Sequence, residues 1–321
     1  MLTPADVAMW FVARRLGRTG TAPDPRPDID TASLQRRFPR LATVVAADVP
    51  VASDDGPVPA RLYRDHATLA RNALVWVHGG AWLGGDLDMP ESNWVALELA
   101  AAGIPTLAVD YRKALRGVRH PAPLDDVQAA WRHATAHTVD LFGTDATRVH
   151  LGGASAGGAL AAGVVLRARD AAAHHSPGST GDGRVPASLV LAYPMLYPRL
   201  PPNSPETKRL MAKMPARLRF RPSIVRALAK HYAGAAGMTD PTAFPGFASD
   251  LRGFPPTYVL VAAIDDLRSS GDMFGERLRA AGVRVELFAE RSATHGHLNH
   301  PEANSAQRSV KRIVEWIDGF A

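Results

Sequence analysis

Short, continuous runs of apolar residues recur at 74–77, 105–109, 149–151, 189–191 and 258–261, with longer stretches of helical period between them. Continuous rather than alternating hydrophobicity predicts strands buried on both faces, as in a parallel sheet. Helices are predicted over 94–100, closed by Gly103, over 125–137 and over the Ala- and Leu-rich 156–169. Two more are predicted over 271–281, stopped by Gly282, and over 302–320. A glycine just past a helical run ends it because it takes up left-handed backbone at low cost. The alternation implies an α/β fold, a mostly parallel central sheet covered by helices on both sides.

Two regions break this rhythm. Residues 1–40 read as a helix at 6–16, a connector with Pro23, Pro25 and Pro27, and a short helix at 32–38. Residues 197–256 are Pro-rich and carry amphipathic patches at 206–213 and 223–232. Together they predict a lid over the edge of the sheet. The polar 174–184 stretch predicts a surface loop, and no internal repeat is evident.

Composition narrows the function classes. With 321 residues, 46% hydrophobic and 21% charged, the chain can bury one large core with an accessory element. The absence of cysteine removes disulfides, thiolate metal sites and a cysteine nucleophile. The net charge of +6 points toward nucleic acid only weakly, because arginines such as Arg14, Arg15, Arg18 and Arg36, Arg37, Arg40 form short clusters expected on solvated faces. No run of about 18 apolar residues occurs, so no membrane span is expected. The start lacks the pattern of a secretory signal, and a cytoplasmic location is the expectation.

The strongest local signal is Gly153-Ala154-Ser155-Ala156-Gly157, lying between a predicted strand and a predicted helix. A serine in such a strand–turn–helix projects its hydroxyl above the sheet, near a helix N-terminus that favours negative charge. The second signal is His78-Gly79-Gly80-Ala81-Trp82, directly after the strand at 74–77. Small residues there leave backbone N–H groups free to stabilise an oxyanion, at about 2.7–4 kcal/mol per donor. His78 reads as structural, holding the loop rather than moving protons. A serine hydroxyl needs a base and the base an orienting carboxylate. Among 12 histidines, His295 in Thr294-His295-Gly296-His297 follows a strand-like run at 283–288, the end of a strand where α/β sites form. His297 and His300 are structural or surface neighbours. Either Asp265 or Asp266, after the strand at 258–262, could supply the carboxylate, the second reading otherwise as a helix cap or a surface partner of Arg268.

With these residues in hand, the chain over 41–321 resembles the hormone-sensitive-lipase-like bacterial carboxylesterases of the α/β-hydrolase superfamily. Further landmarks are Gly85-Asp86-Leu87-Asp88, Val109-Asp110-Tyr111-Arg112, Pro121-Ala122-Pro123-Leu124-Asp125-Asp126 and Asp265-Asp266-Leu267-Arg268. The resemblance implies Ser155 as nucleophile, His295 as base and Asp265 as its carboxylate. It implies the amides of Gly80, Ala81 and Ala156 as oxyanion donors, with Gly79 shaping their loop. It also implies a core of 41–196 and 251–321 and a helical cap built from 1–40 and 197–250. Candidate pocket liners are Trp10, Phe11, Met211, Met214, Leu218 and Phe220. The implied activity is hydrolysis of short- to medium-chain esters, with no cofactor or metal, on a fold whose members commonly form homodimers. The same machinery serves amidases, formamidases and lactonases, and some relatives with an incomplete triad are receptors.

Three positions depart from the family pattern. Ala81 stands where the family has a third glycine, and its Cβ restricts the backbone. Ala154 replaces a usual aspartate before the nucleophile. The basic segment from Lys113 to His120 replaces a Leu-Ala-Pro-Glu run.

Overall fold

The computed structural model describes Asp6 and residues 30–174, 183–215 and 219–320. The helix expected over 6–16, apart from Asp6, the proline connector, Trp10, Phe11, Leu218 and most of the 174–184 loop lie outside the described residues. Strands β1 (Val44–Asp48), β2 (Ala60–Asp65), β3 (Ala73–Val77), β4 (Thr106–Val109), β5 (Val149–Ala154), β6 (Leu189–Ala192), β7 (Thr257–Ile264) and β8 (Val285–Thr294) form one sheet. Its order is β1-β2-β4-β3-β5-β6-β7-β8. β1–β2 and β2–β4 pair antiparallel, and all other neighbours pair parallel. The described helices of at least five residues are α1 (Thr31–Arg37), α2 (Asn93–Ala101), α3 (Ala122–Ala136), α4 (Thr138–Phe142), α5 (Ala156–His174), α6 (Pro205–Ala212), α7 (Pro222–Ala233), α8 (Arg268–Ala280) and α9 (Asn304–Asp318).

The five strands with continuous apolar runs are the inner ones, buried over nearly every residue. β1 and β2 lie outside that pattern because they sit at the sheet's edge, where one face meets water. In β1 only Val44 is buried, and β2 carries Arg61, Arg64 and Asp65 around buried Leu62 and Tyr63. Alternation along a strand sends side chains to opposite faces. In β3, Val75 and Val77 join a core with Leu124 and Trp131 of α3, Leu160 of α5 and Phe274 of α8. Leu74 and Trp76 face the other way, into a core with Trp94 of α2 and Ile313 and Trp316 of α9. Helices thus cover both faces.

Between β6 and β7 the chain leaves the sheet and builds α6 and α7. This segment lies over the C-terminal ends of the strands. The Tyr232 ring stacks on Trp82 at 4.2 Å and 4°, and the Tyr232 carbonyl accepts from the His120 amide at 2.9 Å. Asp6 reaches the same corner, its carboxylate taking the Arg116 amide at 3.2 Å and standing 3.3 Å from His231 Nε2.

Two buried histidines tie stability to pH. His150 on β5 sits 2.6 Å from Ser188 Oγ and 3.4 Å from Asn72 Oδ1. His297, in the turn after β8, contacts Ser309 Oγ at 2.8 Å. Burial holds each imidazole down to about 4. An unfolded histidine binds its proton near 6.5, so stability present above that pH is lost as the pH falls toward 4. His295, held above its ordinary value, acts with the opposite sign, one group against two. The unfolding free energy from urea titration should fall by roughly 3 kcal/mol between pH 7.5 and pH 5. A value unchanged over that range would contradict the burial of both rings as neutral groups.

Candidate active site

Ser155 follows β5 without a break and precedes α5. At the strand's end Ala154 pairs with Ala192 of β6, and the Ser155 amide then donates to the Ala192 carbonyl at 2.8 Å. Ser155 takes φ of 52°, a left-handed conformation that costs a non-glycine residue about 1–2 kcal/mol. The glycines around it allow the sharp turn. A Cβ on Gly157 would stand 2.2 Å from the Val77 carbonyl oxygen, so α5 starts pressed against the end of β3.

Asp265 and His295 are brought together by an irregularity in the sheet. Ala262 pairs with Glu290, yet Ile264 pairs with Thr294, so β8 spends four residues where β7 spends two. The extra residues bend β8 and end the two strands level. Asp265 and His295 are the next residue on each. His295 Nδ1 lies 2.7 Å from Asp265 Oδ2, and His295 Nε2 lies 2.9 Å from Ser155 Oγ. The other Asp265 oxygen accepts the Leu267 amide at 2.9 Å, which fixes the carboxylate. With Nδ1–H donating to Asp265, Nε2 is free to accept from the serine. Burial pulls the His295 imidazole down, but the Asp265 carboxylate outweighs it, helped by Glu91 and Asp266, and holds it above its ordinary value.

The loop after β3 runs past Ser155. A Cβ on Gly79 would stand 3.1 Å from Ser155 Cβ. The Gly79 amide donates to Glu91 Oε1 at 2.7 Å, while its carbonyl accepts from Tyr111 Oη at 2.9 Å and from His78 Nδ1 at 2.7 Å. Gly79 therefore anchors the loop. The amides of Gly80, Ala81 and Ala156 make no hydrogen bond within the described chain. Ala81 and Trp82 both adopt positive φ, 54° and 61°. The loop thus keeps the left-handed course a third glycine would permit, with a Cβ in place.

Glu91 is a functional residue that the sequence reading did not single out. It is buried. Besides Gly79, it takes the Tyr193 hydroxyl at 2.5 Å and the Asn299 side-chain amide at 3.3 Å on Oε2. Tyr193, one residue past β6 at φ of 37°, sets its ring edge-on to His295 at 5.0 Å. One carboxylate thus joins the Gly79 loop, the end of β6 and the turn after His295.

Asp265, rather than Asp266, meets His295. Asp266 instead receives Arg219 at 2.8 Å, while Arg268 pairs with Glu206 and Asp272. His297 is buried against Ser309, and His300 is exposed. Phe220 packs its ring on His295 at 4.6 Å; Met211 is buried and Met214 half-buried. Among the described residues no group of three or more His, Asp and Glu side chains is placed to hold a metal ion, and no helix is long and apolar enough to cross a membrane.

A family model described as the α/β hydrolase fold matches residues 74–299. A carboxylic ester hydrolase of Mycobacterium tuberculosis is 35% identical over 80% of this chain, and the match spans 65% of that relative's length. An ethyl acetate hydrolase of Pseudomonas putida is 27% identical over 97% of both chains. Among solved structures, an esterase of the bacterial hormone-sensitive lipase family superposes with a TM-score of 0.72 at 24% identity, over 99% of this chain and 98% of that one. The resemblance drawn from the motifs and the sheet's architecture agree with these likenesses.

Replacing Glu91 by Gln would present an amide N–H₂ to at least one of three donors. Urea unfolding of Glu91→Gln should show a loss of about 2–3 kcal/mol. Wild-type stability in that variant would remove Glu91 as the joint.

Proposed function

Because the chain belongs to the α/β-hydrolase-fold family, we propose that it is a serine carboxylic ester hydrolase acting on short- to medium-chain acyl esters. The observation that carries this reading is the unbroken line Ser155 Oγ, His295, Asp265 beside amides without acceptors. Ser155 Oγ attacks the ester carbonyl carbon as His295 Nε2 takes its proton. Asp265 holds the imidazole in the required tautomer and stabilises the imidazolium. The carbonyl oxygen, now an oxyanion, is met by the amides of Gly80, Ala81 and Ala156, the last at the positive end of α5. Collapse expels the alcohol, which receives the proton from His295. Water then attacks the acyl-serine, giving its proton to His295, and release of the carboxylic acid restores Ser155.

The segment with α6 and α7, together with the N-terminal residues, serves as the cap in this reading. Support comes from Phe220 on His295, Arg219 on Asp266 and the corner shared by Asp6, Arg116 and His231. A ring set directly on the base leaves room for compact acyl groups. The name of the Pseudomonas putida relative, an ethyl acetate hydrolase, fits that preference.

A fluorophosphonate probe followed by intact mass measurement should add one adduct to wild type and none to Ser155→Ala, whose kcat on a p-nitrophenyl ester should fall by about 10⁴-fold or more. Near-wild-type turnover in that variant would remove the assignment. Rates on acetyl through dodecanoyl esters should peak before the longest chain, and a matched ester and anilide should favour the ester. Catalysis needs neutral His295, whose proton affinity is raised, so kcat/KM should be lost as the pH falls through a midpoint above 6.5. Asp265→Asn should move that midpoint down as kcat falls.

A further inference from the structure

We propose that Lys113 is a positioning residue for the oxyanion loop: its ammonium, seated on His78 Nε2, keeps that imidazole neutral with its proton on Nδ1, where it donates to the Gly79 carbonyl. The proposal rests on reading the Gly80 and Ala81 amides as oxyanion donors.

Hydrogen-bond chemistry fixes the protons. A carbonyl only accepts, so His78 Nδ1, 2.7 Å from the Gly79 oxygen, carries a hydrogen. His78 Nε2 faces Asp110 Oδ1 at 3.1 Å and Lys113 Nζ at 3.2 Å. Facing the carboxylate alone, Nε2 would need a proton too, making the ring an imidazolium. The lysine ammonium removes that need. It bonds Asp110 directly, donates to the Tyr111 carbonyl at 2.7 Å and leaves a further hydrogen for the lone pair of Nε2. An imidazolium and an ammonium 3.2 Å apart in a partly buried pocket repel each other, so one positive charge is shared against Asp110. The charge falls to Lys113, whose ammonium hydrogen meets the lone pair of Nε2 while Nδ1 carries the hydrogen bonded to Gly79. Burial pulls the Lys113 amine below its ordinary value, with Asp110 opposing.

The other charges nearby are already engaged. Asp126 is held by Arg112 at 2.8 Å. Asp86 accepts the Asp88 and Met89 amides, and Glu91 lies on the far side of Gly79. The His78 ring is clamped as well. It stacks on Tyr111 at 4.7 Å, Lys113 Nζ sits 4.2 Å over the same Tyr111 ring, and a Cβ on Gly85 would come within 2.5 Å of His78 Nδ1.

The consequence for the oxyanion follows from peptide planarity. The Gly79 carbonyl and the Gly80 N–H belong to one trans unit and point in opposite directions. The two bonds that hold the carbonyl, from His78 Nδ1 and Tyr111 Oη, therefore aim the Gly80 N–H. With Lys113 present, that aim does not require a second proton on His78 Nε2. Without it, His78 must be charged for the loop to be held, while His295 must be neutral for the serine to react. The two demands then oppose each other along the pH axis.

The test is the pH dependence of kcat and KM for wild type, Lys113→Met and Ser155→Ala, with ¹⁵N spectra of histidine-labelled protein. Wild type should hold a plateau in kcat on the alkaline side of the His295 midpoint, up to the pH at which Lys113 gives up its proton. Lys113→Met should give a bell, with kcat at pH 9 about ten-fold below wild type and KM within about two-fold. Wild-type His78 should show one protonated ring nitrogen at pH 7, and in Lys113→Met two. A Lys113→Met profile that superimposes on wild type, or a doubly protonated His78 in wild type at pH 7, would overturn the proposal. If the variant does not fold, the wild-type spectrum decides alone. Active Ser155→Ala would bring down the site reading itself, whereas inactive Ser155→Ala with an unchanged Lys113→Met profile would bring down only the role of Lys113.

Discussion

A buried negative charge with three donors around it is the constraint on which the site depends. Glu91 is cut off from water, and a carboxylate there costs several kcal/mol unless its oxygens are filled. The Gly79 amide, the Tyr193 hydroxyl and the Asn299 amide fill them. Each comes from a different part of the chain: the loop after β3, the residue after β6 and the turn after β8. None can move away without leaving the charge exposed to an apolar surround. The sheet brings these segments to one end, and the carboxylate sets their spacing there. The Trp76 indole, donating to the Glu91 carbonyl at 2.8 Å, fixes the backbone of the same residue from inside the sheet.

Strain gathers around the same point. Among the described residues, Ala81, Trp82, Arg116, Ser155 and Tyr193 are the non-glycines at positive φ, and all but Arg116 border the relay or its loop. Each costs roughly 1–3 kcal/mol and persists only where surrounding contacts over-determine it. Those contacts can be named. Trp82 is held by its stack on Tyr232 and by the edge of Phe244, Tyr193 by Glu91 and by its amide bond to the Leu260 carbonyl, and Ser155 by the Ala192 carbonyl. Packing from the segment over the sheet thus stabilises the conformation of the loop after β3 beneath it.

The inner strands, the helices on both faces and the turn carrying Ser155 were legible in the sequence because each is encoded locally. Continuous apolar runs mark strands buried on two faces, and glycines on both sides of Ser155 mark a turn that only small residues allow. β1 and β2 were not legible, since an edge strand with one wet face resembles a loop in composition. The choice between Asp265 and Asp266 was open for a different reason. Two adjacent carboxylates differ in direction, and direction depends on the irregular register between β7 and β8. Glu91, Tyr193 and Lys113 escaped because their roles arise from partners far away in the chain, or from a carbonyl, which carries no residue identity.

The link between Arg219 and Asp266 bears on the base itself. Residues 219 and 220 place a guanidinium on the neighbour of Asp265 and an aromatic ring on His295. Two opposing effects then meet in one imidazole, burial lowering its hold on a proton and the Asp265 carboxylate raising it. The second belongs to the sheet and is present whatever lies above. The first comes from the packing around the ring, in which Phe220 and Tyr193 both take part. The segment between β6 and β7 thus packs on the same imidazole that Asp265 holds from the sheet.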